Sequence, residues 1–405
     1  MAAESTHDPR DFTKGLQQLL ISDTKRLGFL GGAGTSIAVK SGGSPKSKVP
    51  GVKEMTDTIV QSVIEPGFQK ALALLKDEFT DSKTSFLVEY ILSNLEQKIQ
   101  VVGKEKLIGL SKQELERLKD AFIERIKDLV SVHKFESEFL PNLVHKDFAE
   151  WIGNASRKNA VEIFTTNYDY LFEIGLEYFN IPYFDGFVGA YKPFFDPNSV
   201  ADLKSNPGWT KLWKLHGSLG WELDKTQNRI IRTNKSADMI VIYPSIAKYD
   251  NSRKQPYVSF MDRLSSFLRG QDGVLFIVGY SFGDQHINDI ILNGLSQTRS
   301  SHAIAFIFDD VTEASNLAGL ARAEPGLSIY GPKSAVIGGK YGKWCLRAKP
   351  AEDEIEFVKT YFKFDEGATP FKGEGDLLLV DFSSFVNFLK ALQYDNFRES
   401  WSKKP

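Results

Sequence analysis

Arg26-Leu-Gly-Phe-Leu-Gly-Gly-Ala-Gly-Thr-Ser36 reads as a short apolar strand that runs into a glycine-rich turn and then a helix or loop. Absent or tiny side chains at Gly32, Ala33 and Gly34 would let backbone N–H groups approach a pyrophosphate, and the helix start would add positive potential. Ser36 would add a hydroxyl donor. A purely structural turn that needs glycine dihedral freedom accounts for the same residues. The next stretch, Lys40 to Gly51, is rich in Gly, Lys and Pro and predicts a mobile surface loop beside the strand end, placed to close over a ligand.

Further strand signals follow at Val161–Thr166, Trp213–His216, Ile240–Tyr243, Val274–Tyr280 and Ala303–Phe308. Runs of consecutive apolar residues suit parallel strands covered on both faces by helices. A helical pattern at Asn288–Leu295 separates the last two strands and predicts a right-handed crossover. Between the first two strands, Phe68–Phe79, Thr84–Val102 and Ser111–His133 carry apolar residues at helical spacing, and Ser111-Lys-Gln-Glu114 has the form of a capping box. The expected fold is α/β: a Rossmann-like, doubly wound parallel sheet built from residues 1–51 and 150–310. A helical insertion occupies 52–149. Residues 311–405 form a mixed C-terminal segment that either completes the fold or serves assembly.

The bulk numbers narrow the function classes only a little. A chain of 405 residues exceeds what one hydrophobic core normally serves. A hydrophobic share of 42%, a charged share of 25% and a net charge of -2 give no general case for nucleic acid or an anionic membrane. Lys40, Lys46, Lys48 and Lys53 form a short basic stretch that reads as a solvated loop. Cys345 is the single cysteine, so one chain can build neither an internal disulfide nor a four-cysteine zinc site, and a reducing cytoplasm fits best. Neither an apolar leader core nor a run of the roughly 20 apolar residues a membrane span needs is present. The expectation is a cytoplasmic protein that is not membrane-inserted and whose chemistry requires no metal.

Three more clusters carry candidate chemistry. Thr165-Thr-Asn-Tyr-Asp169 follows an apolar run, which puts Asn167 and Asp169 at a strand's carboxyl end, where open parallel sheets bind ligands. Capping of a helix at Leu171–Phe179 is the plainer account of both. His216, in Leu-His-Gly-Ser218, also ends an apolar segment, and an imidazole titrating near neutrality suits proton transfer. A hydrogen-bonded core histidine is the plainer account there. Gly279-Tyr-Ser-Phe-Gly-Asp284 supplies small residues and the Ser281 hydroxyl where the adenine-side ribose of a dinucleotide would lie, or else forms a tight strand-to-helix turn. Four polar clusters at four strand ends converge, in this architecture, on one crevice.

In this order, Gly32-Ala-Gly-Thr-Ser36, Thr166-Asn-Tyr-Asp169, Leu215-His-Gly217 and Gly279-Tyr-Ser281 resemble the sirtuin family, over about residues 26–40 and 160–310. The resemblance implies a Rossmann-like domain that takes NAD+ as substrate. It implies that Ala33, Gly34 and Ser36 contact the phosphates, with Gly32 and Thr35 in the same loop. Asn167 would meet the nicotinamide-side ribose, Asp169 the carboxamide, and Ser281 the adenosine end. His216 would be the base, with Gly217 and Gly279 lining the site. Protein-deacylating sirtuins usually carry a four-cysteine zinc ribbon and a Pro-Asp-Phe-Arg segment after the glycine loop. Both are missing here, and the long helical insertion resembles bacterial antiphage-defence sirtuins that deplete NAD+, in overall length the subunit that assembles with a HerA-type ATPase.

The resulting expectation is an NAD+ hydrolase in which Asn167 positions water or ribose hydroxyls and His216 accepts a proton. An NAD+-dependent deacylase and a non-catalytic NAD+ or ADP-ribose sensor are the alternatives. A homo-oligomer and a HerA-type partner are the expected assemblies, without membrane or direct nucleic-acid binding.

Overall fold

The computed structural model describes residues 5–40, 43, 48–82, 85–155, 157–233 and 255–402. Among them, ten strands form one sheet. In spatial order these begin at residues 6, 340, 334, 327, 302, 273, 26, 162, 210 and 183. Every neighbouring pair is parallel except those made by Ser334–Ile337, which runs against both of its neighbours. The sheet is thus α/β and parallel-dominated, as the apolar runs predict.

Side chains of a strand alternate between faces, and here both faces are buried. Leu27, Phe29, Ile163, Val274, Phe276, Ile304 and Phe306 join one core with helices Pro9–Ile21, Val144–Asn154 and Leu171–Tyr178. Leu30, Phe164, Leu275, Ile277, Ala303 and Ala305 join the opposite core with helices Tyr257–Arg269, Gln285–Ser296 and Asn316–Ala323. Gln285–Ser296 is the crossover expected between the strands Gly273–Val278 and His302–Phe306, which pair in parallel. The C-terminal segment adds the hairpin Ser334–Ile337/Lys340–Trp344 to the sheet, and Phe385, Phe388 and Leu389 of the last helix enter the first core.

Arg26–Gly31 lies mid-sheet. The chain leaves it for Glu162–Thr165 on one side and later returns to pair Gly273–Val278 on the other. This reversal opens a crevice beyond the carboxyl ends of these strands.

The insertion comprises Val52–Ser62, Pro66–Asp81, Val88–Val101 and Lys112–Val130, followed by short turns as far as Asn142. Their amphipathic faces close on a core of their own, including Ile59, Leu75, Ile91, Leu95, Leu118 and Phe122. Leu171, Ile174 and Leu219 of the sheet unit pack into that same core. Ser111 caps the last of these helices reciprocally: its Oγ accepts from Glu114 N at 3.4 Å, and its own N–H donates to Glu114 Oε2 at 2.8 Å.

Boundaries differ locally from the sequence reading. The helix expected from Thr84 starts at Val88, and the strand expected through His216 is Thr210–Lys214. Gly217, at φ +101°, turns the chain immediately after His216 and takes the imidazole out of the ladder. The strand expected at Ile240–Tyr243, together with Thr84 and Lys46, lies outside the described residues.

Candidate functional site

At the crevice, two backbone segments meet with no side chain between them. Gly32 N donates to Val278 O at 3.0 Å, and Gly34 N donates to Gly279 O at 2.9 Å. A Cβ on Gly34 would stand 2.6 Å from Gly279 Cα, and one on Gly279, at φ +66°, would stand 2.6 Å from Thr35 N. These glycines therefore let the turn after the first long strand touch the end of Gly273–Val278 directly. Thr35 N donates back to Gly32 O at 2.9 Å. The amides of Gly32, Gly34 and Thr35 are thus committed to protein carbonyls, and the turn also carries the side-chain hydroxyls of Thr35 and Ser36.

Those hydroxyls organise the neighbouring strand end. Asn167 Nδ2 lies 2.9 Å from Gly32 O, 3.0 Å from Thr35 Oγ1 and 2.6 Å from Ser36 Oγ. Because the Gly32 carbonyl can only accept, the amide nitrogen must face the turn. Oδ1 is then the atom of this amide that the turn does not hold. Ser36 Oγ in turn donates to Asp169 Oδ2 at 2.6 Å, a short charge-assisted bond, while Asp169 Oδ1 accepts from Leu171 N at 3.0 Å. Asp169 thus shapes the start of Leu171–Tyr178, the plainer of its two sequence accounts, and also belongs to the polar network at this strand end.

Below this network, Lys214 is 3% exposed and its Nζ sits 2.9 Å from Oε1 of Glu173, itself 14% exposed. The same ammonium donates to the carbonyls of Tyr168 and Asp169. Burial raises the Glu173 carboxyl above its ordinary value, opposed by Lys214. Lys214 therefore supports the Asn167–Asp169 bend from behind.

His216 sits across the crevice. Its Nε2 is 2.9 Å from Asp284 Oδ2, and each side chain is 6% exposed. The other oxygen of Asp284 accepts from His286 N at 3.0 Å and Ile287 N at 3.5 Å, capping Gln285–Ser296. The segment between Gly279 and Asp284 is held in turn: Tyr280 Oη is 3.1 Å from Asp284 O and 3.0 Å from Asn288 Oδ1, and Asn288 Nδ2 donates to Phe282 O at 2.8 Å. Phe282 adopts φ +58°, a backbone state that L residues rarely hold without such support.

Ala33, Gly34, Ser36, Asn167, Asp169, His216, Gly279 and Ser281 all line one cavity of about 420 Å³, whereas Gly32, Thr35 and Gly217 stand behind its wall. Met55, Leu87, Ile126 and Val130 of the insertion form the facing wall, joined by Val49 and Pro50 from the end of the loop after the glycine turn. Val49 N is tied to Ser36 O at 2.9 Å, which fixes that loop end against the site. Lys40 and Lys48, read as solvated, pair with Asp147 at 2.6 Å and Glu54 at 3.2 Å. Cys345 lies away from the cavity, bridged to Glu374 in the C-terminal segment. Among the described residues, no group of three or more His, Cys, Asp or Glu is disposed to hold a metal ion, and no helix is long and apolar enough to cross a membrane.

Two contributions escape a reading of the sequence. Asp284 is legible only as a helix cap, since its histidine lies 68 residues away. The aliphatic wall is legible only as helix core, because each of its residues falls on an amphipathic face.

A family model described as a SIR2-like domain matches residues 161–324. That span contains Asn167, Asp169, His216, Gly279, Ser281 and Asp284, and it ends short of the glycine turn on the N-terminal side. The match supports a sirtuin-like family and NAD-related chemistry. Compared with curated proteins, the sequence finds no match.

Proposed function

We propose that this protein hydrolyses NAD+ to ADP-ribose and nicotinamide. The observation that carries the reading is the convergence of the Asn167 amide, anchored by the glycine turn, and the His216 imidazole, anchored by Asp284, on one cavity. Cleavage of the nicotinamide–ribose bond expels neutral nicotinamide and leaves positive charge on the ribose. A site for it needs a fixed dipole near C1′ and a base for the incoming nucleophile. Asn167 Oδ1 supplies the dipole and orients water or the ribose hydroxyls, and His216 takes the proton. Asp169, tied to Ser36, orients the carboxamide of the leaving group. Ser281 and the bare backbone at Gly34 and Gly279 make room for the rest of the dinucleotide.

The facing wall favours water over an acyl-lysine as acceptor. Met55, Leu87, Ile126 and Val130 give the cavity an aliphatic lining on the insertion side, where a peptide-transferring enzyme needs an open groove. On this reading the biological role is NAD+ depletion in antiphage defence. An unrestrained NAD+ hydrolase would drain its own cell, which argues for control through a homo-oligomer or a HerA-type ATPase partner.

The test is incubation of the full chain, alone and with an acyl-lysine peptide, with NAD+ and chromatography of the products. Free ADP-ribose without peptide is expected, together with a loss of about 100- to 10,000-fold in turnover for His216→Ala. Asn167→Ala should lose turnover and keep most NAD+ binding. Peptide-dependent release of nicotinamide would replace hydrolysis with deacylation.

A further inference from the structure

We infer that Asp284 is a positioning residue that fixes the tautomer of His216 and stabilises its protonated form, making the two an Asp–His pair. The inference rests on the hydrolase reading for its catalytic consequence, and on geometry alone for the tautomer. A carboxylate can only accept, so the hydrogen of the 2.9 Å contact sits on His216 Nε2. In the neutral ring Nδ1 is then the basic nitrogen. The pair is built rather than incidental: both side chains are buried, and Asp284 cannot rotate without uncapping Gln285–Ser296.

The proton balance follows. As a water oxygen bonds to C1′, the bond from C1′ to the nicotinamide nitrogen breaks, and its electron pair returns to the ring, which leaves neutral. His216 Nδ1 takes the water proton, and the imidazolium so formed keeps its Nε2 hydrogen on the Asp284 carboxylate. The proton then passes to solvent, so that NAD+ and water give ADP-ribose, nicotinamide and one proton.

Asp284→Asn separates this role from the structural one. The amides of His286 and Ile287 demand an acceptor, so the new side chain must keep its oxygen at the helix and turn its NH2 toward His216. Nε2 becomes the acceptor and the ring proton moves to Nδ1, the wrong tautomer for a base. Asparagine caps a helix as well as aspartate does, so folding is retained.

The experiment has two readouts on the full chain. Nitrogen-15 histidine spectra, with His216 assigned by its disappearance in His216→Gln, should show the Nε2–H tautomer in the parent and the Nδ1–H tautomer in Asp284→Asn. Steady-state NAD+ cleavage should lose about 100- to 10,000-fold in kcat with KM and Tm near the parent values. An unchanged tautomer, or parental kcat in Asp284→Asn while His216→Ala is inactive, overturns the inference. If the parent shows no NAD+ cleavage but the tautomer switches, the hydrolase reading falls and the Asp–His pair stands.

Discussion

Replacing Lys214 by methionine keeps most of the stem's volume and removes the charge. In the folded protein this leaves the Glu173 carboxylate buried without its counter-ion, and Glu173 Oε2 already has no hydrogen-bond partner among the described residues. Breaking a buried pair from one side costs about 3–5 kcal/mol. The protein can relieve part of that by protonating Glu173, whose pKa burial already holds above its ordinary 4.5 and which Lys214 pulls back down.

A carboxyl whose folded pKa is raised contributes stability that is fully present below the unfolded value and lost as pH rises through the folded one. Lys214→Met raises the folded value further, so its destabilisation relative to the parent should grow as pH rises above the parent's own folded value, which itself lies above 4.5. Between pH 5 and pH 7 the growth is at most about 2.7 kcal/mol, two pH units at roughly 1.36 each. Urea melts of parent and variant at both pH values measure it. Adding Glu173→Gln should restore most of the stability at pH 7, since neither charge then remains to be buried. It should not restore turnover, because the carbonyls of Tyr168 and Asp169 still lack the Lys214 donor, and a displacement of about 1 Å at Asn167 costs on the order of 100-fold. Equal losses at pH 5 and pH 7, or a double variant no more stable than the single one, would refute this account.

Other perturbations test other joints of the site. Gly34→Ala places a methyl 2.6 Å from Gly279 Cα, so the two segments must part; NAD+ turnover should fall about 100-fold and urea melts should lose about 1–3 kcal/mol. Ser36→Ala removes both the donor to Asp169 and the oxygen facing Asn167 Nδ2, and should cost about 1–3 kcal/mol with a parallel loss of turnover. His145 packs edge-on to Phe172 with both ring nitrogens lacking a partner among the described residues, and burial lowers its pKa to about 4. The unfolded chain protonates first as pH falls below 6.5, so stability should drop by up to about 3 kcal/mol on approach to pH 4. In His145→Leu that part of the acid loss should vanish from pH-dependent melts.

Much of the frame was legible because burial on two faces writes itself as unbroken apolar runs. Phe276 and Ile277 point to opposite cores, and no polar residue interrupts them. The insertion was equally plain, since Leu115, Leu118, Phe122 and Ile126 recur at helical spacing behind a capping box. Placement of Asn167, Asp169 and His216 beyond strand ends followed from the same runs. What a strand end cannot encode is its partner across the sheet. The contact between Gly34 and Gly279 and the pairing of His216 with Asp284 depend on strand order, and aspartate before a helix carries the same local signature whether or not an imidazole waits opposite it. The glycine turn is the clearest case, because the same sequence serves either free amides for a phosphate or amides bonded to a neighbouring strand, and only the register decides.

The insertion is more than a cover. Its core contains Leu171 and Ile174, which follow Asp169 on one helix, and Leu219, three residues beyond His216. Leu219 N also donates to Tyr168 O at 3.1 Å, so the segments that carry Asn167 and His216 are linked to each other at the point where both enter that core. A shift of the insertion therefore cannot open the cavity wall at Met55 and Ile126 without loading the backbone on either side of it. Cavity access and the mutual placement of Asn167 and His216 are mechanically one variable in this fold. On the NAD+ hydrolase reading proposed above, that coupling would put control of turnover on the helices and leave the polar network of the sheet intact.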